Sequence, residues 1–379
     1  MSFCSMVRPV GAAILLLGTG VTFAEPGISD ESILIGQSAD FSNVLAGSVK
    51  ETTAGAQAYL DSVNRKGGIN GRKVILKSLD DSYDGKRAAA NTKTLIENDK
   101  VFSLFLYRGT PTTEAAMPIL TAAKVPLVAP VTGAQSVHEP FNRYVFFVRA
   151  KYQDEAARVI EQLTSLGMTR VAVMYGNDSF GKDGLTGVRN ELTKRGLSPV
   201  AEGAFDNKSS LVGEAVKLVA AARPQAVVIV ASAKSTSECV KQTRKAGLDP
   251  QFVTLSVNSS QAFVKEMGTD GRGVGVTQVM PYPWSVGTAV VKEYRDALKQ
   301  AKIETVSYLS LEGFISAKVL VEGLRRAGPS LTREKFVLAM ESMRDYDVGG
   351  FHVNYAPDDR EGSRFTEVTV IGEEGRFLR

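Results

Sequence analysis

Apolar runs recur along this chain at a regular beat, each followed by a stretch with the spacing of an amphipathic helix. ILIGQSA (33–39), KVILKSL (73–79), VFSLFL (101–106), VPLVAP (125–130) and YVFFV (144–148) form one series. RVAVMY (170–175), LSPVAEGAF (197–205), AVVIVA (226–231), QFVTLS (251–256) and GVGVTQVM (273–280) form a second. Several are nearly unbroken in Val, Ile, Leu and Phe, as strands covered on both faces must be. Helix-patterned segments at 52–66, 85–98, 112–123, 154–166, 211–222 and 234–246 lie between them. Strands and helices alternating at this length require parallel sheets with right-handed crossovers. Two such series predict an α/β fold of two doubly wound parallel-sheet lobes joined by a hinge.

After residue 284 the pattern changes to three helix-like segments, around 286–301, 308–327 and 331–343, followed by FHVNY (351–355) and EVTVIG (367–372) as extra strands. No low-complexity linker separates the lobes, so the crossings must be ordered. YVFFVRAKYQDE (144–155) and VTQVMPYPW (276–284) are the best candidates, extended and rich in aromatic or proline residues. The expected division is 28–148 with 282–355 as lobe 1, and 149–281 with 356–379 as lobe 2. Residues 1–24 pair one arginine with an apolar stretch and end in Thr22-Phe23-Ala24, which reads as a secretory signal peptide. Cys4 precedes the apolar run, where a lipoprotein signal would need it after, so export as a soluble protein is expected. Cys239 is then the one cysteine left, leaving no intrachain disulfide. Its segment SECVKQ reads as an amphipathic helix with an inert, buried thiol.

Lys and Arg number 45 against 41 Asp and Glu, a net +4. The charges are interspersed, with no basic block or aromatic stripe, which argues against nucleic acid. GNDSFGKD (176–183) has glycines and a lysine near phosphate-loop spacing, but Asp183 stands where a Ser or Thr must hold magnesium. A plain strand-to-helix turn is the better reading, with Phe180 projecting from a strand's carboxyl end. In DDSYD (80–84), Asp84 reads as a helix cap rather than a metal ligand. His138 and His352 have no metal-ligand spacing, and neither a GxSxG elbow nor an HExxH pair occurs. No catalytic constellation, metal site or cofactor is expected.

YRGTPTTEAA (107–116) is the stretch that bears on function. It follows VFSLFL directly, and in an open α/β sheet ligands collect at the carboxyl ends of strands. The first helical turn there leaves N–H groups unpaired and its dipole favours an anion. Thr110 and Thr112 add hydroxyls, and Arg108 brings a planar charged fork suited to a carboxylate. APVTGAQ (129–135) repeats this chemistry beside it, with Gly133 permitting close backbone approach. Two such loops on adjacent strands suggest a shared anion cradle.

With those loops in hand, the chain resembles the periplasmic solute-binding proteins of branched-chain amino-acid-type ABC transporters. The likeness runs through nearly all of 31–379. It is carried by GAQAYLDSVNRKGGINGRKVILKSLDDSYD (55–84), KVPLVAP (124–130) and SYLSLEGFISAKVLVEGLRRAG (307–328). The resemblance implies a type I periplasmic binding protein that closes two lobes on a small solute. It places the family's carboxylate-binding serine at Thr110 and its backbone contacts at Val131 and Gly133. Aromatic contacts fall on Phe180 and near Ala233 and Lys234, while Tyr152 and Tyr282 lie at the inferred crossings. Tyr83 and Gly109 occupy the places of two cysteines that close a small loop in the amino-acid binders. The family's acidic partner of the ligand ammonium falls near Ser256, in TLSVNSS (254–260), which contains no acid.

The expected protein is a non-enzymatic, monomeric receptor in the periplasm that delivers its ligand to an inner-membrane ABC permease. Lobe 1 would bind first through Thr110, Val131 and Gly133, with Tyr107, Arg108 and Thr112 around them. Phe180, Lys234 and Ser256 would close from lobe 2. The ligand is a small carboxylate, either an amino acid or, better suited to the neutral TLSVNSS, a des-amino organic or aromatic acid. A ligand-sensing domain of a signalling system and an exported hydrolase are the rival readings.

Overall fold

The computed structural model describes Met1 and residues 25–379, so nearly all of the expected signal peptide lies outside the described residues. The first sheet holds β1 (Ser32–Ala39), β2 (Lys73–Asp80), β3 (Ser103–Phe105), β4 (Leu127–Val128) and β5 (Val145–Phe146). All four pairings are parallel, in the order β2-β1-β3-β4-β5. The second holds β6 (Val171–Gly176), β7 (Glu202–Phe205), β8 (Ala226–Val230), β9 (Gln251–Thr254) and β10 (Gly275–Gln278). These repeat the order as β7-β6-β8-β9-β10, again all parallel. A small hairpin, β11 (Tyr346–Asp347) with β12 (His352–Val353), follows. Then β13 (Glu367–Ile371) and β14 (Phe377–Leu378) extend the second sheet with antiparallel pairings beyond β10.

The helices are α1 (Ala46–Arg65), α2 (Gly85–Lys93), α3 (Thr110–Ala123), α4 (Gln135–His138), α5 (Tyr152–Ser165), α6 (Ser179–Thr193), α7 (Gly213–Ala222), α8 (Ala233–Lys245), α9 (Gln261–Met267), α10 (Ala289–Gln300), α11 (Tyr308–Ala327) and α12 (Arg333–Glu341). The sheet faces explain the apolar runs. Along β6, Val171 and Val173 pack with the core beneath α5 and α6, whereas Ala172 and Met174 join the core beneath α7 and α8. Both faces are therefore covered, and every residue of β8 is buried. In the first lobe α2 and α3 cover one face, while α1, α10 and α11 cover the other.

Two sequence expectations about turns are met in the structure. Asp84 caps α2, accepting from Arg87 N–H at 3.0 Å, and Asp178 caps α6, accepting from Gly181 N–H at 2.9 Å. The GNDSFGKD stretch is thus a strand-to-helix turn. Cys239 is fully buried on α8, and burial pushes its thiol well above the usual range. Among the described residues no helix is long and apolar enough to cross a membrane.

The chain passes between the lobes around 147–151, 279–288 and 354–366. The first and third passages are tied together: Tyr355 Oη and Gly362 N–H both donate to Phe147 O, at 2.7 and 2.9 Å, and Lys151 pairs with Glu361.

Candidate functional site

Because the five leading strands of each sheet run parallel, the loops that leave their carboxyl ends converge between the lobes. From the first lobe, Leu45 and Ser48 at the start of α1, Tyr83 after β2, Arg108, Gly109 and Thr110 after β3, and Val131 after β4 line one cavity. From the second come Tyr152 at the start of α5, Phe180 after β6, Asn207 after β7, Ser232 and Ala233 after β8, and Val257 and Asn258. The cavity is about 20 Å³, roughly the room one water needs. The lobes are shut on each other, so any larger solute requires them to part.

Arg108 dominates this space. It is 3% exposed, its Nη2 donates to Val257 O across the cleft at 3.0 Å, and its Nε and Nη1 are buried without a protein partner. Burial pushes its pKa down to about 10 against the opposing field of Glu312. Gly109 lets the chain turn with φ 105°, and the Tyr83 ring lies so close that a Cβ on Gly109 would meet its Cε2 at 2.8 Å. At the two places where the resemblance puts the family's cysteines, a tyrosine ring leans on a glycine. Tyr83 Oη then reaches over the cleft to Asp178 Oδ2 at 3.0 Å.

The expected site residues divide sharply. Arg108, Thr110, Val131, Tyr152 and Phe180 line the cavity, and the rings of the last two meet at a tilt of 57° with centroids 5.0 Å apart. Thr110 Oγ1 shares a hydrogen bond with Thr132 Oγ1 at 2.8 Å, while the Val131 N–H is committed to Tyr107 O at 2.6 Å. Tyr107 points away into the core, its hydroxyl on Thr92 at 3.1 Å. Thr112 Oγ1 turns back to Arg108 O at 2.9 Å and holds the turn itself. Gly133 packs against the first passage instead, accepting from Tyr152 N–H at 2.9 Å, and a Cβ there would meet that nitrogen at 2.7 Å. Lys234 is exposed, its neighbour Ala233 lining the cavity in its place. Tyr282 belongs to a cluster with Trp284 and Tyr308 and donates to Phe377 O at 3.3 Å.

Ser256 is also elsewhere, and its position is instructive. Both its N–H and Oγ bond Glu155, at 2.8 and 2.9 Å. Glu155, fully buried on α5, also accepts from Thr277 Oγ1 and from Arg149 Nη2 at 3.1 Å. Arg149 in turn reaches Glu312 of α11 at 3.4 Å. The network joins α5, α11 and the loop after β9 where the chain crosses between lobes. Its carboxylates face this arginine, not the cavity.

Sequence reasoning missed Asn207, Ser232, Val257 and Asn258. Each follows a strand of the second lobe, so the carboxyl-end rule that located Arg108 and Thr110 applies to them equally. Further contacts close the rim: Gln135 N–H to Asp183 Oδ1 at 2.8 Å, and Ser179 Oγ to Glu114 Oε2 at 2.7 Å.

Comparison with known proteins agrees with this architecture. Residues 32–374 match a family model described as periplasmic binding protein. A solved substrate-binding periplasmic protein from Ralstonia solanacearum is 34% identical, with a TM-score of 0.87 over 92% of this chain and 99% of that one. Leu/Ile/Val-binding protein homolog 7 of Brucella abortus is 23% identical over 80% of this chain and 79% of its own length. An amino acid binding protein of Pseudomonas aeruginosa is 22% identical over 53% of this chain, which spans about half, 54%, of that relative. Two doubly wound lobes with their strand ends facing one cleft, and a family match along almost the whole chain, place this chain in the periplasmic binding protein family.

Proposed function

We propose that this chain is the exported solute receptor of an ABC importer, holding a small carboxylate between its lobes and presenting the closed form to an inner-membrane permease. In this reading 28–148 with 282–355 and 149–281 with 356–379 move as two bodies about the three passages. Thr110, Val131 and Arg108 receive the ligand, and Tyr152 and Phe180 cover its apolar part. The observation that carries the reading is Arg108, a buried guanidinium with donors to spare in a cavity built from both lobes. A buried unpaired charge is costly, and an anion shared between the lobes would offset that cost. Contacts made only on closing let such a ligand shift the open–closed equilibrium. Native mass spectrometry of the purified protein tests this. The expected result is a small acid that leaves intact on denaturation and narrows the protein's radius of gyration when returned. Recovery of hydrolysed products instead would overturn the receptor reading.

A further inference from the structure

Resting on that reading, we infer that the cleft selects acids that lack an amino group, with Arg108 as the residue that sets this preference. Among the residues lining the cavity, Arg108 is the single charged side chain; the rest are aromatic, aliphatic, hydroxyl, amide or glycine. A ligand carboxylate therefore meets a counter-charge with two unpartnered nitrogens. A ligand ammonium meets none and is repelled by the same guanidinium. The carboxylates around the cavity are engaged elsewhere. Asp178 accepts from Tyr83 Oη, Asn207 Nδ2 and Gly181 N–H. Glu51 accepts from the N–H groups of Gln261 and Ala262. Glu155 holds Ser256 and Arg149, and Glu312 keeps one unpartnered oxygen but stands against Arg149, outside the lining. In a closed, dry cleft an ammonium without a partner is strongly disfavoured. Because Arg108 also holds Val257 O, the guanidinium is fixed from both sides only when the lobes are shut, which couples anion binding to closure.

The test is calorimetry with 4-methylpentanoate, 4-methylpentanamide and leucine, and with 3-phenylpropionate beside phenylalanine. Wild type is expected to bind each acid at least about 10-fold more tightly than its amide or its amino acid. Arg108→Gln should weaken acid binding about 10- to 100-fold, the usual loss of a charged hydrogen-bond partner, and leave the amide within a few-fold. Loss of the Val257 contact alone would weaken acid and amide together, so a constant acid-to-amide ratio overturns the assignment. Arg108→Lys, which keeps the charge, should retain much of the preference, and thermal melts confirm that each variant is folded. Tighter binding of leucine or phenylalanine than of their acids overturns the inference while leaving the receptor reading intact. No binding of any compound, with no small molecule released from the purified protein, overturns both.

Discussion

Glu51 of α1, in one lobe, caps α9 in the other: its Oε1 accepts from Ala262 N–H at 2.8 Å and its Oε2 from Gln261 N–H at 3.0 Å. Gly47 sits one turn earlier, where a Cβ would meet that of Ala262 at 2.8 Å, so the two elements touch only because the position is glycine. A carboxylate at a helix N-terminus satisfies orphan N–H groups, and here the helix it serves lies across the cleft. In the proposed lobe motion, Glu51 would act as a latch made on closing.

Replacing Glu51 with Ala should bias the protein towards the open form. Ser260 still caps α9 through the Phe263 N–H, so what is lost is the cross-cleft acceptor of two further N–H groups, worth about 0.5–2 kcal/mol by analogy with a cap, and that penalty falls on closure rather than on the fold. Ligand affinity should drop by roughly 2- to 30-fold, with a wider radius of gyration by small-angle scattering and an unchanged midpoint in urea. An affinity equal to wild type would show that the Ser260 cap alone suffices for α9 and that Glu51 does not hold the lobes together.

Asp183 gives closure a pH dependence. Burial pushes its carboxyl up to about 6, against the Gln135 N–H that favours the charged form, and its Oδ2 has no partner. A raised value means its contribution to stability is fully present below about 4 and is lost as pH rises through about 6. Asp183→Asn keeps an acceptor for Gln135 without the charge. It should raise the melting temperature at pH 7 by about 2–4 °C, the effect of about 1 kcal/mol in a domain of moderate size. The advantage should vanish near pH 4. Asp81, likewise pushed up to about 6 by burial, titrates in the same window, so the difference between variant and wild type is the quantity to plot. A gain independent of pH would rule out titration as its source.

The sheets were legible because buried parallel strands have little choice of residue, and AVVIV at 226–230 announces itself. Strand ends also located Arg108, Thr110 and Phe180, since loop chemistry after an apolar run is local information. What the sequence hid was direction. Tyr107 and Arg108 are adjacent, yet one side chain enters the core and the other the cleft, because successive residues in extended chain face opposite ways. Ser256 stood where the family places an acid, but its partner Glu155 lies 101 residues away, a separation no local pattern reveals. Asp183 carried a second meaning: the residue that disqualifies a phosphate loop is also a cross-cleft acceptor.

Glu155 and Arg149 should behave as a buried pair whose halves cannot be removed singly. Glu155→Ala leaves Arg149 with only the longer Glu312 contact and removes the acceptor for Ser256 and Thr277, at an expected cost of about 3 kcal/mol. Truncating both should cost clearly less than the two single losses added, which chemical denaturation of the three variants will reveal. Strict additivity would mean that the two side chains do not act as a unit.

Helices α1 and α11 approach backbone to backbone, and two glycines make that possible. A Cβ on Gly55 would lie 1.8 Å from Ser310 O, and one on Gly313 would lie 1.8 Å from Thr52 O. Alanine normally favours a helix over glycine by about 1 kcal/mol, so propensity alone predicts stabilisation at both sites. Here the obstacle is main chain, which has no rotamer to yield, and overpacking of about 1–3 kcal/mol or more should win. Gly313→Ala is therefore expected to lower the urea midpoint clearly. Gly213→Ala at the start of α7, where the nearest atom to a new Cβ is Gln242 Oε1 at 3.9 Å, should be neutral or slightly stabilising. The consequence reaches the hinge, because Glu312 is the residue before Gly313 and its contact with Arg149 depends on where α11 lies. Forcing the helices apart should thus weaken ligand binding as well as the fold. A Gly313→Ala protein with wild-type stability and affinity would refute the close approach.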